Sequence, residues 1–130
     1  MSVAENTLAT GWRRVMKLQR AVQEFDLSGA LLHKPENVYY FSGVFPIEPS
    51  FLIVPPDGDP ELIVPRSSHR EAVRDAVLPV EAGELDIVRT VRRRLIEKGC
   101  LRKEADTPAK SLWSRLVGKG LGLEYDFFNL

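Results

Sequence analysis

The chain has 130 residues, 44% hydrophobic and 28% charged, which is the size of one domain able to bury roughly two-thirds of its unfolded surface and excludes disordered or collagen-like classes. Eighteen basic side chains balance eighteen acidic ones, so no long-range field draws in nucleic acid or an anionic membrane. The lone cysteine, Cys100, excludes an internal disulfide and paired-cysteine zinc motifs and fits a reducing, cytoplasmic setting.

Residues 1–10 carry no basic stretch followed by an apolar one, and no apolar run reaches the ~18 residues of a bilayer span. Neither export signal nor membrane anchor is expected. From about residue 10 to 25, Trp12, Val15, Met16, Leu18, Val22 and Phe25 recur at the three-and-four spacing of one helix face, with Arg13, Arg14, Lys17 and Arg20 projecting outward. Ser28-Gly29 breaks that pattern. Ala30-Leu31-Leu32 is too short for a helix and suits a strand buried on both faces. Pro35 at a first helical position starts a short turn that carries Val38, Tyr39, Tyr40 and Phe41 inward and stops at Ser42-Gly43. Residues 51–54 and 61–64 are β-prone runs joined through Asp57-Gly58, which supplies the positive φ of an antiparallel hairpin loop.

In Ser68-His69-Arg70-Glu71 the spacing of Ser68 and Glu71 predicts a capping box and a helix to about Val77. A second amphipathic helix, from about residue 84 to 98, is expected to bury Leu85, Val88, Val91 and Leu95, with Gly99 as a left-handed cap. Thr107-Pro108 repeats the start signal for a stretch carrying Leu112, Trp113, Leu116 and Val117, and residues 121–125 read as a strand. No repeat or linker divides the chain, and helix and strand signals alternate apart from the hairpin, which predicts a single α/β layered domain with a mixed sheet. The apolar end, Phe127-Phe128-Asn129-Leu130, suggests that the chain stops inside a larger folded unit and that the isolated chain self-associates.

Residues 14–43, RVMKLQRAVQEFDLSGALLHKPENVYYFSG, resemble the opening of creatinases, prolidases and Xaa-Pro aminopeptidases, above all in Pro35-Glu36-Asn37-Val38-Tyr39-Tyr40-Phe41-Ser42-Gly43. The hairpin FLIVPPDGDPELIVPR and the late strand GLGLEYD are similar to the same family and follow in its order. His33 departs from the small hydroxyl residue the family often places there. The resemblance implies a three-layer domain with a mixed β-sheet containing an antiparallel hairpin, flanked by helices and built on a ribonuclease H-like motif. It further implies that residues 1–130 are the non-catalytic N-terminal domain of a cytoplasmic metal-dependent Xaa-Pro dipeptidase or aminopeptidase, shortened at its C-terminal end. The absent C-terminal catalytic half would hold two divalent ions, manganese or cobalt, on two Asp, one His and two Glu. The partners implied are that catalytic half and a second subunit in a homodimer. A stand-alone binding or dimerisation module of this fold and the N-terminal domain of a creatinase-like amidinohydrolase are the alternatives.

The residues of this chain supply no catalytic set of their own. A dinuclear centre needs convergent carboxylates and imidazole, yet His33 and His69 are the two histidines and neither sits in a ligand-spaced motif. Ser67-Ser68-His69 offers hydroxyls next to a base, but neighbours on a helix point apart and capping already accounts for Ser68. Arg92-Arg93-Arg94 reads as a solvated or interdomain helix face, not a phosphate patch, because Glu84, Asp86 and Glu97 share its helix. Tyr39, Tyr40 and Phe41 diverge on a short turn, which favours core packing over base stacking. The expected functional element is the loop of residues 44–50, in which Phe45, Pro46, Ile47 and Glu48 either meet a partner or substrate or fold back onto the sheet. Pro46 and Pro49 stiffen it and reduce the entropy lost on docking.

Overall fold

The computed structural model describes residues 3–101 and 121–123, with side chains over residues 9–101. In chain order the elements are α1 (Val3–Glu24), β1 (Gly29–Leu32), α2 (Pro35–Ser42), β2 (Phe51–Val54), β3 (Glu61–Pro65), α3 (His69–Asp75), β4 (Val80–Gly83), α4 (Ile87–Glu97) and β5 (Leu121–Leu123). The sheet runs β4-β3-β2-β1-β5. Its centre is antiparallel, with Ala30 opposite Val54 and Leu52 opposite both Leu32 and Leu62, while β4 and β5 are added parallel to β3 and β1.

Successive side chains on a strand point to opposite faces, and here both faces are covered. Ala30, Leu32, Leu52, Val54, Leu62 and Val64 face the helices α1, α2 and α3 and join Val15, Leu18, Val22, Val38, Phe41 and Ala72 in one core. Leu31, Phe51, Ile53 and Ile63 face the opposite way and pack on Val91 and Leu95 of α4 and on Cys100. The result is the expected three-layer arrangement of helices around a mixed sheet. Leu31, Leu32, Leu52, Ile53, Leu62 and Ile63 are all fully buried, each contributing about 2 to 3 kcal/mol of transfer free energy.

The long helix buries Val15, Leu18 and Val22, whereas Trp12 and Phe25, expected on the same face, are exposed. The chain stops α1 at Asp26, which takes φ 53° while Leu27 N–H donates to Val22 O at 3.0 Å and Asp26 N–H to Gln23 O at 3.1 Å. This is a Schellman closure with an aspartate where glycine is usual, so the break falls ahead of Ser28-Gly29. In α2 the proline start and the left-handed Gly43 stop fall where expected, with Gly43 N–H donating to Tyr39 O. Val38 and Phe41 point inward, but Tyr39 and Tyr40 are exposed, because four consecutive residues of a helix cannot share one face.

Between β2 and β3 the loop turns at Gly58, φ 100°, and is held from both layers. Gln19 Nε2 donates to Pro55 O and Gly58 O, Gln23 Nε2 to Pro56 O, and Lys98 Nζ to Asp59 O. β4 carried no sequence signal: Val-Glu-Ala-Gly neither alternates nor forms an apolar run, and only Gly83 of the four is buried. Parallel backbone pairing to β3 makes it a strand. Helix α4 begins at Ile87, not 84, since Asp86 caps it by accepting from Val88 N–H at 3.1 Å. Leu85 therefore lies ahead of the helix and is fully exposed instead of buried. Gly99 caps α4 with φ 78°, and Cys100 N–H donates to Leu95 O at 2.8 Å. The helix expected from Thr107 and the residues Glu124, Tyr125, Phe127 and Phe128 lie outside the described residues.

A buried ion pair ties the sheet to α4. Glu61 opens β3 on the α4 side and is almost fully buried; Arg94 meets it in a two-pronged contact, Nε to Oε1 at 2.7 Å and Nη2 to Oε2 at 2.8 Å, and its Nη1 also reaches Glu97. The Glu61 hydrogen bonds raise the Arg94 pKa further above its already high value. Removing one partner of a buried pair strands the other charge, at about 3 to 5 kcal/mol when burial is complete; the Arg94 side chain keeps 24% exposure, which lowers the cost. Arg94→Ala is expected to reduce unfolding free energy in urea by about 2 kcal/mol, with Glu61→Leu/Arg94→Met recovering most of it. A loss below about 0.5 kcal/mol would reduce the contact to an ordinary surface pair.

Candidate functional site

The loop of residues 44–50 joins α2 to β2 and is anchored at both ends. At its start Ser42 Oγ donates to Val38 O inside α2 and accepts from Val44 N–H at 3.1 Å, and Val44 is buried. At its end Ser50 is buried and its hydroxyl donates to Glu48 O at 3.1 Å. Between these anchors Phe45 is 62% exposed and Ile47 89% exposed. Neither folds back onto the sheet. The Phe45 ring meets that of Tyr39, centroids 6.0 Å apart and planes at 64°.

Glu48 fixes the loop laterally. One carboxylate oxygen accepts from Ser67 Oγ at 2.6 Å and from Ser68 Oγ at 3.0 Å. These bonds, that of Ser67 first, hold the Glu48 carboxyl below its ordinary pKa, because both hydroxyls favour the charged form. The expected capping box is thereby replaced. Ser68 makes no side-chain cap, since the chain enters α3 through a turn at Arg66–Ser68 that already has helical backbone angles. The hydroxyls of Ser67 and Ser68 thus serve Glu48 and are not aligned on His69 as a nucleophile and its base would be.

Beside Glu48 lies an open cleft of about 820 Å³ at the carboxyl ends of the parallel strands β3 and β4. Arg66, Ser67, Asp86 and Arg89 line it, and so does the exposed Leu85. It mixes both charge signs with an apolar side chain, a composition suited to surface recognition. Arg89 lies 3.9 Å from Asp86 within it.

The other candidate residues resolve into structural roles. Among the described residues no three of His, Cys, Asp and Glu gather closely enough to hold a metal ion. His33 packs at 6.1 Å from the Phe51 ring. Burial pushes the Cys100 thiol up to about 11, which leaves it protonated and poorly nucleophilic near neutrality. The arginine run is split: Arg94 is tied to Glu61, and Arg93 lies 3.5 Å from Glu81. Tyr40 carries the Arg14 guanidinium over its ring at 4.2 Å, so the three aromatics form no common platform. No helix among the described residues is long and apolar enough to cross a membrane. The Glu48–Ser67–Ser68 contact and the exposure of Leu85 escaped sequence reading. The first joins residues 19 and 20 positions apart, and no local pattern signals it.

Comparison with known proteins gives a consistent picture. The model of the creatinase/prolidase N-terminal domain matches residues 14–128. An Xaa-Pro dipeptidase of Pyrococcus furiosus is 38% identical over 68 residues, 52% of this chain and 19% of the relative's length. The prolidase of Pyrococcus horikoshii superposes with a TM-score of 0.64 at 20% identity, over 88% of this chain and 33% of that one. The separately solved creatinase/prolidase N-terminal domain of a Streptococcus pyogenes X-Pro dipeptidase gives 0.64 at 16% identity, over 90% of this chain and 97% of that one. The chain thus spans well under half the length of the whole enzymes it matches.

The lowered Glu48 pKa has a defined sign. Stability drawn from this contact is present above the unfolded carboxyl pKa and lost as pH falls through the lower folded value. A carbon-detected NMR titration is expected to place the Glu48 midpoint below that of a glutamate in an unstructured peptide, and Ser67→Ala/Ser68→Ala to return it toward the ordinary range. An unmoved midpoint in the double variant would show that the hydroxyls do not hold the carboxylate in solution.

Proposed function

The chain belongs to the creatinase/prolidase N-terminal domain family, and on that premise we propose that it is the non-catalytic N-terminal domain of a metal-dependent Xaa-Pro peptidase. In this reading it contributes to subunit association and shapes the active site of the parent enzyme. The bond-breaking step belongs to a C-terminal half, where two divalent ions would supply an activated water. The contribution of the present residues is surface and position.

The anchored loop carries the reading. Phe45 and Ile47 stand in solvent on a segment whose two ends are buried and whose Glu48 is tied sideways to Ser67 and Ser68. Side chains of this size gain about 1.5 to 3 kcal/mol each when fully covered. A loop already held in shape by Pro46, Pro49 and Glu48 loses little entropy on docking, so most of that gain becomes binding energy. A loop meant only to connect two elements needs neither the apolar tip nor the lateral tie. The P. furiosus relative is an Xaa-Pro dipeptidase, and that chemistry supports the substrate class proposed for the parent protein.

Two measurements test this. The purified chain with manganese or cobalt is expected to leave an Xaa-Pro dipeptide intact, and robust hydrolysis would overturn the non-catalytic assignment. In the product of the whole reading frame, Phe45→Ser/Ile47→Ser is expected to lower kcat/KM about tenfold, a loss of about 1.4 kcal/mol, and to weaken self-association in ultracentrifugation. Circular dichroism is expected to stay unchanged, because both side chains are exposed. Unaltered kinetics and assembly would remove the loop from the mechanism.

A further inference from the structure

We propose that the groove between α1 and α2 is a docking site for an acidic polypeptide segment bearing a large apolar side chain. The groove encloses about 540 Å³, within the range of sites that accept one or a few side chains. Its floor is apolar: Leu18 and Phe41 are each only 6% exposed, and Ala21 lies beside them. Its rim is cationic, formed by Arg13, Arg14 and Lys17, and Arg20 continues the basic stripe along α1.

Among the described residues these cations enter no ion pair. Arg74, Arg89, Arg93 and Arg94 each face a carboxylate, whereas Arg13, Lys17 and Arg20 face none among the described residues. In a chain of zero net charge, cations that meet no carboxylate among the described residues and gather around one groove are a local feature, not an overall basicity. Arg14 is held in place by a hydrogen bond from Nη1 to Tyr40 O at 3.2 Å and by lying over the Tyr40 ring at 4.2 Å. A guanidinium has five N–H donors, so most of those on Arg14 stay available to receive a carboxylate in a pre-set orientation. Arg13 and Lys17 stand one helical turn apart, about 5 to 6 Å. Carboxylates at alternate residues of an extended segment, about 7 Å apart, or at i and i+4 of a helix can span that gap.

The same geometry argues against other classes of ligand. Base stacking needs a free aromatic face, whereas Arg14 covers one face of Tyr40 and the Phe41 ring abuts it edge-on at 4.9 Å and 87°. A bilayer is entered by protruding apolar side chains beside basic ones, whereas Leu18 and Phe41 are recessed.

The test uses the full chain and a fluorescein-labelled peptide in which Asp-Glu pairs flank Leu-Phe, followed by anisotropy at low salt. Saturable binding is expected, at least about tenfold weaker for Arg13→Glu/Lys17→Glu and unchanged for Arg70→Glu on α3. Replacing Leu-Phe by Ser-Ser is expected to weaken it too, and replacing the acidic residues by lysine to abolish it. Equal binding of the acidic and lysine peptides, or full retention by Arg13→Glu/Lys17→Glu, would overturn the proposal. Stronger binding of phosphatidylserine vesicles or single-stranded oligothymidylate, lost in the same double variant, would overturn it in favour of that ligand class.

Discussion

A four-residue strand packed between two layers of helices has no side chain left for solvent, and this constraint organises the molecule. β1 and β2 bury every residue, so the alternation of a strand serves two cores at once: even-numbered positions of β1 and β2 face α1–α3 and odd-numbered ones face α4. A one-residue slip would exchange the two sets. Ala30 would leave the crowded side and Leu31 would enter it. The register is therefore held by volume on both faces, and Glu61, which shares a face with Ile63, can be accommodated only because Arg94 comes down from α4 to meet it. The cross-layer ion pair is a consequence of double-sided burial.

That rigid centre explains where the irregular backbone goes. The loop between β2 and β3 is clasped by Gln19 and Gln23 from one layer and by Lys98 from the other, so the two layers are tied at one end of the hairpin as well as through the cores. At the opposite end of β2, the loop of residues 44–50 receives a different treatment. Its ends are buried and its lateral contact is a carboxylate on two hydroxyls, while Phe45 and Ile47 are left uncovered. One loop is secured for stability; the other is secured and still presents surface.

What could be read from the sequence follows the range of the forces involved. The buried positions Val15, Leu18 and Val22 of α1, the hairpin, the proline start of α2 and the glycine caps at Gly43 and Gly99 are set by neighbours within a turn or two, and they were readable. β4 was not, because Val-Glu-Ala-Gly becomes a strand through backbone pairing with a segment already placed. Leu85 was misassigned for a related reason: its spacing fits the α4 pattern, but Asp86 takes the cap and starts the helix after it. Asp26 stopped α1 in a conformation that side chains rarely adopt. For the candidate loop, composition signalled apolar side chains without an element to bury them, but the tie of Glu48 to Ser67 and Ser68 depends on how α2, β2 and α3 are stacked. Capping chemistry at Ser68 was the local expectation, and a tertiary partner displaced it.

Helix α2 joins the two outward-facing surfaces. It has eight residues, with Val38 and Phe41 committed to the core, and its two exposed tyrosines are consecutive, hence about 100° apart around the axis. Tyr39 turns toward Phe45 of the loop and Tyr40 toward Arg14 at the α1 groove. Both surfaces are thus positioned by one short helix that is pinned by Pro35 at one end and by the left-handed Gly43 at the other. Gly43 has little latitude, since a Cβ there would sit 3.0 Å from Asp75 O as well as at a positive φ. Any displacement of α2 moves Tyr39 and Tyr40 together, so the geometry of the loop and that of the groove are set by the same few contacts of Val38 and Phe41 with the core.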